Sequence, residues 1–200
     1  CTILLIIIGL IALFSATQNT EYDEFKKQII WVAISIPFII AFTLIDYETI
    51  AKISPVFYVV MIILLVGVLF TEPINGATSW YSLGFASIQP AEFTKIFVIM
   101  VLALVMSKMV AKGKKEISRP TRLLILIAIF AVPVLLIIKQ PDYGTALAFF
   151  VAFIAMLFVA GIDKKYIIAG ILIIAITLPV MYFFVLPDHA KQRIDVFLNQ

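Results

Sequence analysis

Residues 120–161 read PTRLLILIAIFAVPVLLIIKQPDYGTALAFFVAFIAMLFVAG, a stretch that points to one architecture. Its two apolar runs, about 122–138 and about 144–161, each have the roughly 17–25 residues that a helix needs to cross a bilayer. Lys139 to Gly144 separates them, and Pro-Asp-x-Gly is ordinary turn chemistry. Further runs lie on both sides, at about 2–16, 28–45, 55–71 and 91–107 before it and about 166–186 after it. The expected fold is all-α: a polytopic membrane helix bundle of about seven spans, forming one membrane domain over residues 1–200.

Composition agrees with this reading. The 200 residues are 64% apolar and 14% charged, with a mean hydropathy of +1.15. Ordinary globular chains are about 45–50% apolar and about 25% charged. A chain this apolar cannot cover a water-facing surface, so lipid is its solvent. The net charge of +3 is too small to argue for nucleic acid, and the basic residues fall in loops. Cys1 is the single cysteine, which rules out an intrachain disulfide and reads as an incidental thiol. The chain starts without Met inside an apolar run and stops at Gln200, so a piece of a longer membrane protein is expected.

Lysine and arginine set the orientation. The loop at about 108–122 carries Lys108, Lys112, Lys114, Lys115, Arg119 and Arg122 against one acid, Glu116, and is expected in the cytoplasm. Asp163-Lys164-Lys165 and the segment Asp46 to Ser54, with Lys52, fall on the same side by counting spans, as does the N-terminus. Four segments then face outward: Thr17–Lys27, a loop at about 71–90, the turn Lys139–Gly144, and residues from about 187 to 200, the start of a larger outer loop.

The outward segments hold charge at or just inside span ends, where it is costly. In Gln89-Pro90-Ala91-Glu92-Phe93-Thr94-Lys95, Pro90 suits a first helical position. Glu92 and Lys95, three apart, share a helix face. They read equally as a functional pair or as a carboxylate at a helix N-terminus beside a snorkelling lysine. Asp142 reads as a cap of the sixth helix or as a functional acid beside Lys139. Leu186 to Asn199 holds Asp188, the only histidine, His189, and Gln192-Arg193. Trp80 and Tyr81 read as interfacial belt aromatics. There is no histidine–cysteine cluster, P-loop, GxGxxG or GxSxG, so no metal site is expected.

Four motifs in order resemble the SEDS family, which comprises RodA, FtsW and SpoVE. Asn75-Gly76-Ala77-Thr78-Ser79-Trp80 is similar to its NGA-x-x-W loop, and Gln89-Pro90-Ala91-Glu92-Phe93-Thr94-Lys95 to its QP-[SA]-E-x-x-K signature. Gln140-Pro141-Asp142-Tyr143-Gly144-Thr145 is similar to QPD-x-GT, and Gln192-Arg193 with Phe197-Leu198-Asn199 to QR-x-x-x-FLNP. Ser15-Ala16 and Ile45-Asp46-Tyr47 fit weaker early patterns, and Lys139-Gln140-Pro141-Asp142 leans toward RodA. Two positions depart from the pattern: Ser79 stands where the family usually has arginine, and Gln200 where FLNP ends in proline.

The resemblance implies a peptidoglycan glycosyltransferase of about ten spans in the bacterial inner membrane, of which about seven are read here. Such an enzyme polymerises lipid II at the outer face for cell shape and elongation. Its partners are lipid II, the nascent glycan strand and a class B penicillin-binding protein. The family's catalytic aspartate lies in a PE-x-HTDF-like stretch past Gln200, so residues 1–200 alone are expected to be inactive. Within them, Asp142 and Glu92 are supporting candidates. Lys95, Lys139 and Arg193 are expected at the pyrophosphate or growing strand. Gln89, Gln140, Gln192 and Trp80 are the other candidates for substrate binding. No cofactor is implied, and the need for a divalent cation is left open. Two rival readings stand beside this one: a lipid II flippase, which needs a polar path through mid-membrane, and a non-catalytic scaffold of the cell-wall machinery.

Overall fold

In the computed structural model, residues 2–17, 23–73, 77–84, 87–113, 116–180 and 191 are described. Seven helices carry these residues: α1 (Thr2–Ala16), α2 (Asp23–Leu44), α3 (Tyr47–Val68), α4 (Pro90–Val110), α5 (Pro120–Lys139), α6 (Tyr143–Val159) and α7 (Lys164–Val180). Two short strands, β1 (Tyr81–Ser82) and β2 (Ser87–Ile88), interrupt the loop between α3 and α4. They pair antiparallel, with Tyr81 opposite Ile88 and Ser82 opposite Ser87. The helix α2 from Phe25, together with α3, α4 and α5, is long and apolar enough to cross a membrane. Helices α1 and α6 are apolar but shorter, at 15 and 17 residues.

The chain divides into two compact units, Cys1–Ile50 and Ala51–Gln200. In the first, α1 packs on α2, and the rings of Phe14 and Phe25 meet edge to face at 5.3 Å. In the second, α4, α5 and α6 pack on one another and α7 packs on α6. Buried residues recur every three or four positions: Val98, Leu102, Met106 and Met109 on α4; Leu126, Phe130, Val134 and Ile137 on α5; Ala146, Phe149, Phe153 and Leu157 on α6. That spacing is one helix face. The opposite faces are apolar too, as at Ile96, Leu124, Leu135 and Val151, which is what helices immersed in lipid require. Phe130 joins α5 to α6, stacked on Phe153 at 4.4 Å and edge-on to Phe150 at 4.9 Å. Phe57 and Phe97 stack α3 on α4 at 4.9 Å.

Four prolines sit inside these helices, Pro37, Pro55, Pro133 and Pro179, and at Pro55 and Pro133 a hydroxyl meets the consequence. A proline cannot donate to the carbonyl four residues back, and in lipid that oxygen needs another donor. Pro55 deprives Ala51 O, and the Ser54 hydroxyl donates to it at 2.8 Å. Pro133 deprives Ile129 O, and the Tyr58 hydroxyl donates to it from α3 at 2.9 Å.

The expected loop from Asp46 to Ser54 is helix from Tyr47 onward. Glu48, Lys52 and Pro55 depress the hydropathy there, but they do not prevent a helix. The Asp46 carbonyl accepts from the amides of Thr49 and Ile50 and starts the first turn. At the end of α6, Gly161 adopts a φ of 77°. Its amide bonds Phe158 O, and that of Ile162 bonds Leu157 O, a Schellman close that turns the chain into α7.

Two of the segments read as cytoplasmic, the α4–α5 and α6–α7 loops, meet at one end of the second unit. The Ser118 hydroxyl, in the α4–α5 loop, accepts from the Asp163 amide in the α6–α7 loop at 3.0 Å. Glu116 lies 2.7 Å from Arg119 and 3.6 Å from Arg122, so the acid of that loop is occupied by its own arginines. The opposite end carries the α3–α4 loop and the α5–α6 turn.

Candidate functional site

At that opposite end, three segments are fastened together. The last turn of α3 tightens: the Leu69 amide bonds Val66 O rather than Leu65 O, and Phe70 and Thr71 likewise reach back three residues to Gly67 and Val68. The carbonyls near a helix end need outside donors, and side chains provide them. The Tyr81 hydroxyl donates to Leu64 O at 2.9 Å, and the Gln140 amide donates to Leu65 O at 3.1 Å. The Thr71 hydroxyl lies within reach of Val68 O and of Trp80 O. A Cβ on Gly67 would stand 2.5 Å from the Tyr81 hydroxyl, so the absent side chain makes the slot for Tyr81. Tyr81 is therefore a pin between loop and helix as well as an aromatic near a span end.

The α5–α6 turn is set by its own residues. The amides of Gln140 and Asp142 both bond Ile137 O, closing α5. Asp142 is the N-cap of α6: one carboxylate oxygen accepts from the Thr145 amide at 3.2 Å. Its other oxygen accepts from the side-chain amide of Gln89. Gln89 immediately precedes α4, which begins with Pro90, Ala91 and Glu92. One hydrogen bond thus joins the Gln89–Lys95 motif to the Gln140–Thr145 motif across 53 residues of sequence.

The other candidates fall as follows. Lys95 and Glu92 form an ion pair at 3.0 Å on the first turn of α4, with Lys95 28% and Glu92 56% exposed. Lys139 ends α5 with its side chain exposed. Trp80 is half-buried beside the strand β1. Gln140 is fully buried, so its side chain is not offered at the surface. Ser79 is 1% exposed, and its hydroxyl donates to Gln140 O at 3.3 Å. Asn75, Gly76, Asp188, His189, Gln192, Arg193 and Phe197–Asn199 lie outside the described residues. Among the described residues, then, the two carboxylates have separate partners. Asp142 is held by an amide and a backbone N–H, Glu92 by Lys95. No group of three or more metal-ligating side chains occurs among the described residues.

Chemically, this end offers two oriented carboxylates and two lysines at the tips of adjoining helices. The cations suit a phosphate or pyrophosphate; the carboxylates suit hydroxyl groups or the orientation of those cations. Ser79, Gly67 and Tyr81 are missed by reading motifs for charge. Their roles come from close packing, and a serine between a threonine and a tryptophan carries no sign of it.

The fold and this end define a polytopic helical membrane protein with two of its polar motifs joined at one rim. The family model of the FtsW, RodA and SpoVE cell-cycle proteins matches residues 1–200, and the chain belongs to that family. It is 31% identical over 178 residues to the peptidoglycan glycosyltransferase RodA of Treponema pallidum, covering 86% of this chain and 40% of that protein. With the peptidoglycan glycosyltransferase MrdB of Escherichia coli K12 it shares 28% over 204 residues, covering 99% and 54%. The solved structure of Thermus thermophilus RodA superposes with a TM-score of 0.73 at 22% identity, over 86% of this chain and 55% of that one. A chain from a structure described as a peptidoglycan synthase complex, coordinating polymerisation and crosslinking, superposes at 0.76 with 23% identity, over 97% and 56%. The fold is common to this chain and the two solved structures, and the chain spans about half the length of the relatives it matches.

Proposed function

We propose that this protein is a peptidoglycan glycosyltransferase that polymerises lipid II at the outer face of the bacterial inner membrane, in cell-shape maintenance. The observation that carries the reading is the Gln89–Asp142 bridge, which brings two family motifs to one rim with Lys95 and Lys139 nearby. Family membership and the names of the relatives support it. The rim is the outward side, and the basic end with Lys108, Lys112, Arg119 and Arg122 is cytoplasmic, as is the N-terminus. A class B penicillin-binding protein is the proposed partner, in keeping with the synthase complex whose chain superposes on this one.

Lipid II holds its sugar to undecaprenyl pyrophosphate by an α linkage, and the strand is β-linked, so the transfer inverts the anomeric carbon. The acceptor hydroxyl needs a general base. In this reading the base is the family's aspartate in the following loop. The departing pyrophosphate needs positive charge, which Lys95, Lys139 and Arg193 supply. Glu92 and Asp142 orient cations or sugar hydroxyls. The reaction calls for no cofactor in this scheme.

The lipid II transporter is the second reading. Hydroxyls within the described spans favour the polymerase over it. Ser54, Thr94 and Ser107 each bond a carbonyl of their own helix, and these residues build no polar path through the bilayer.

The test is made on the full-length protein. Because Asp142 caps α6, Asp142→Ala would mix capping with function, whereas asparagine also caps. Asp142→Asn and Lys95→Ala are each expected to lower lipid II polymerisation at least about tenfold while thermal unfolding stays put. Wild-type polymerisation by both variants would sink the reading. Transfer of labelled lipid II across liposomes without polymerisation would bring the transporter forward.

A further inference from the structure

We infer that Gln140 is a positioning residue for Asp142, an inference that rests on the polymerase reading of this rim. Gln140 occupies the C-cap of α5, is wholly buried, and stands two residues before Asp142. Its side-chain orientation is fixed by chemistry. Leu65 O can only accept a hydrogen bond, so the amide nitrogen must face it, at 3.1 Å. The amide oxygen then points into the interior, where it has no hydrogen-bond partner among the described residues. An unpaired buried oxygen costs stability, and a leucine or methionine would fill the same space without it. A purely space-filling role therefore favours an apolar residue. What the glutamine alone supplies is the donor that ties the α5–α6 turn to the end of α3.

The rest of the turn transmits that tie. The Gln140 carbonyl accepts from the buried hydroxyl of Ser79 at 3.3 Å, so the α3–α4 loop grips the same residue from the other side. From this clamped residue the chain runs through a single residue, Pro141, to Asp142. Asp142 in turn caps α6 and holds Gln89. Three segments distant in sequence thus meet at Gln140, and Asp142 takes its place from the meeting. Gln140 acts through Asp142 and need not touch the substrate. Ser79 shares the role from the loop side, at the position where the family usually carries arginine.

The test uses the full-length protein with lipid II. Gln140→Leu, Asp142→Asn and the double variant are compared by polymerisation rate, and the exchange of the Thr145 amide is followed by hydrogen–deuterium exchange. Gln140→Leu is expected to slow polymerisation about tenfold and to speed Thr145 exchange by a similar factor. In the Asp142→Asn background it should add less than about a twofold further loss, because its effect passes through that carboxylate. Multiplied losses in the double variant, or unchanged Thr145 exchange in Gln140→Leu, would overturn the inference while leaving the polymerase reading intact. If Asp142→Asn alone polymerises at the wild-type rate, the reading of the rim fails and the inference falls with it. Should Gln140→Leu not fold, Ser79→Ala removes only the hydroxyl on the Gln140 carbonyl. A smaller loss, about threefold, is expected from it, again absent in the Asp142→Asn background. An undiminished rate, or a loss that persists in that background, would overturn the inference in that case.

Discussion

Gly67 and Tyr81 show how one missing side chain organises the rim. The Tyr81 hydroxyl bonds Leu64 O and occupies the space a Cβ on Gly67 would take, 2.5 Å away, while the ring carbon bearing it lies 3.8 Å off. A methyl group at position 67 therefore clashes with the hydroxyl and not with the ring. Gly67→Ala is expected to destabilise the full-length protein by about 1 kcal/mol through the lost hydrogen bond. In a Tyr81→Phe background the same change should be neutral or stabilising by up to about 1 kcal/mol, because alanine is the better helix former. Thermal unfolding of the four proteins in detergent measures the change of sign. An equal cost in both backgrounds would mean that Tyr81 does not use the slot. Asp142 poses the other question at this scale. Its two hydrogen bonds satisfy the capping role read from the sequence, and they also fix the carboxylate toward Gln89. Capping and the role proposed for this carboxylate follow from one geometry.

At the scale of elements, α3 and α5 are continuous through Pro55 and Pro133, where hydroxyls replace the bonds that proline removes. The pair Tyr58 and Pro133 makes this testable, since donor and orphaned acceptor lie on different helices. Tyr58→Phe leaves Ile129 O without its donor in an apolar setting and is expected to cost about 1 kcal/mol. Pro133→Ala restores an amide four residues after Ile129, so Tyr58→Phe should cost almost nothing in that background. Unfolding of the double-variant cycle reads the coupling directly; strict additivity would show that Tyr58 does not compensate for the proline. The start of α3 follows the same logic. Hydropathy places it near residue 55, because Glu48 and Lys52 are charged. The backbone places it at Tyr47, because the Asp46 carbonyl receives the first amides and Ser54 serves Ala51 O. A hydropathy profile records where lipid begins, and a helix extends as far as its backbone is satisfied.

For the whole molecule, the described residues of the second unit sort by charge between two ends. One end joins Ser118 to Asp163 beside Arg119 and Arg122; the other joins Gln89 to Asp142. Under the orientation proposed, Leu83→Cys is expected to react with a membrane-impermeant maleimide added outside intact cells. Lys112→Cys should react only after the membrane is opened. Both positions are exposed. A Cys1→Ser background leaves no other cysteine in the 200 residues. The reverse pattern would invert the topology and move the rim to the cytoplasm.

The class, the approximate spans and the motifs are legible in the residues alone. These depend on local quantities: the length of an apolar run, the sign of a loop, and the order of Gln89 to Lys95 and Gln140 to Thr145. The helical faces were implicit in the same runs, although apolar residues on all sides hide which face is buried when lipid and core are equally greasy. Which polar groups meet is settled by packing. Asp142 pairs with Gln89 and not with Lys139 or Lys95, Gln140 turns inward to Leu65 O, and Tyr81 enters the slot at Gly67. Each of these joins residues from 14 to 75 positions apart. No short pattern encodes them, because the partner is a backbone carbonyl or an absent Cβ, which any sequence can supply and only packing can select.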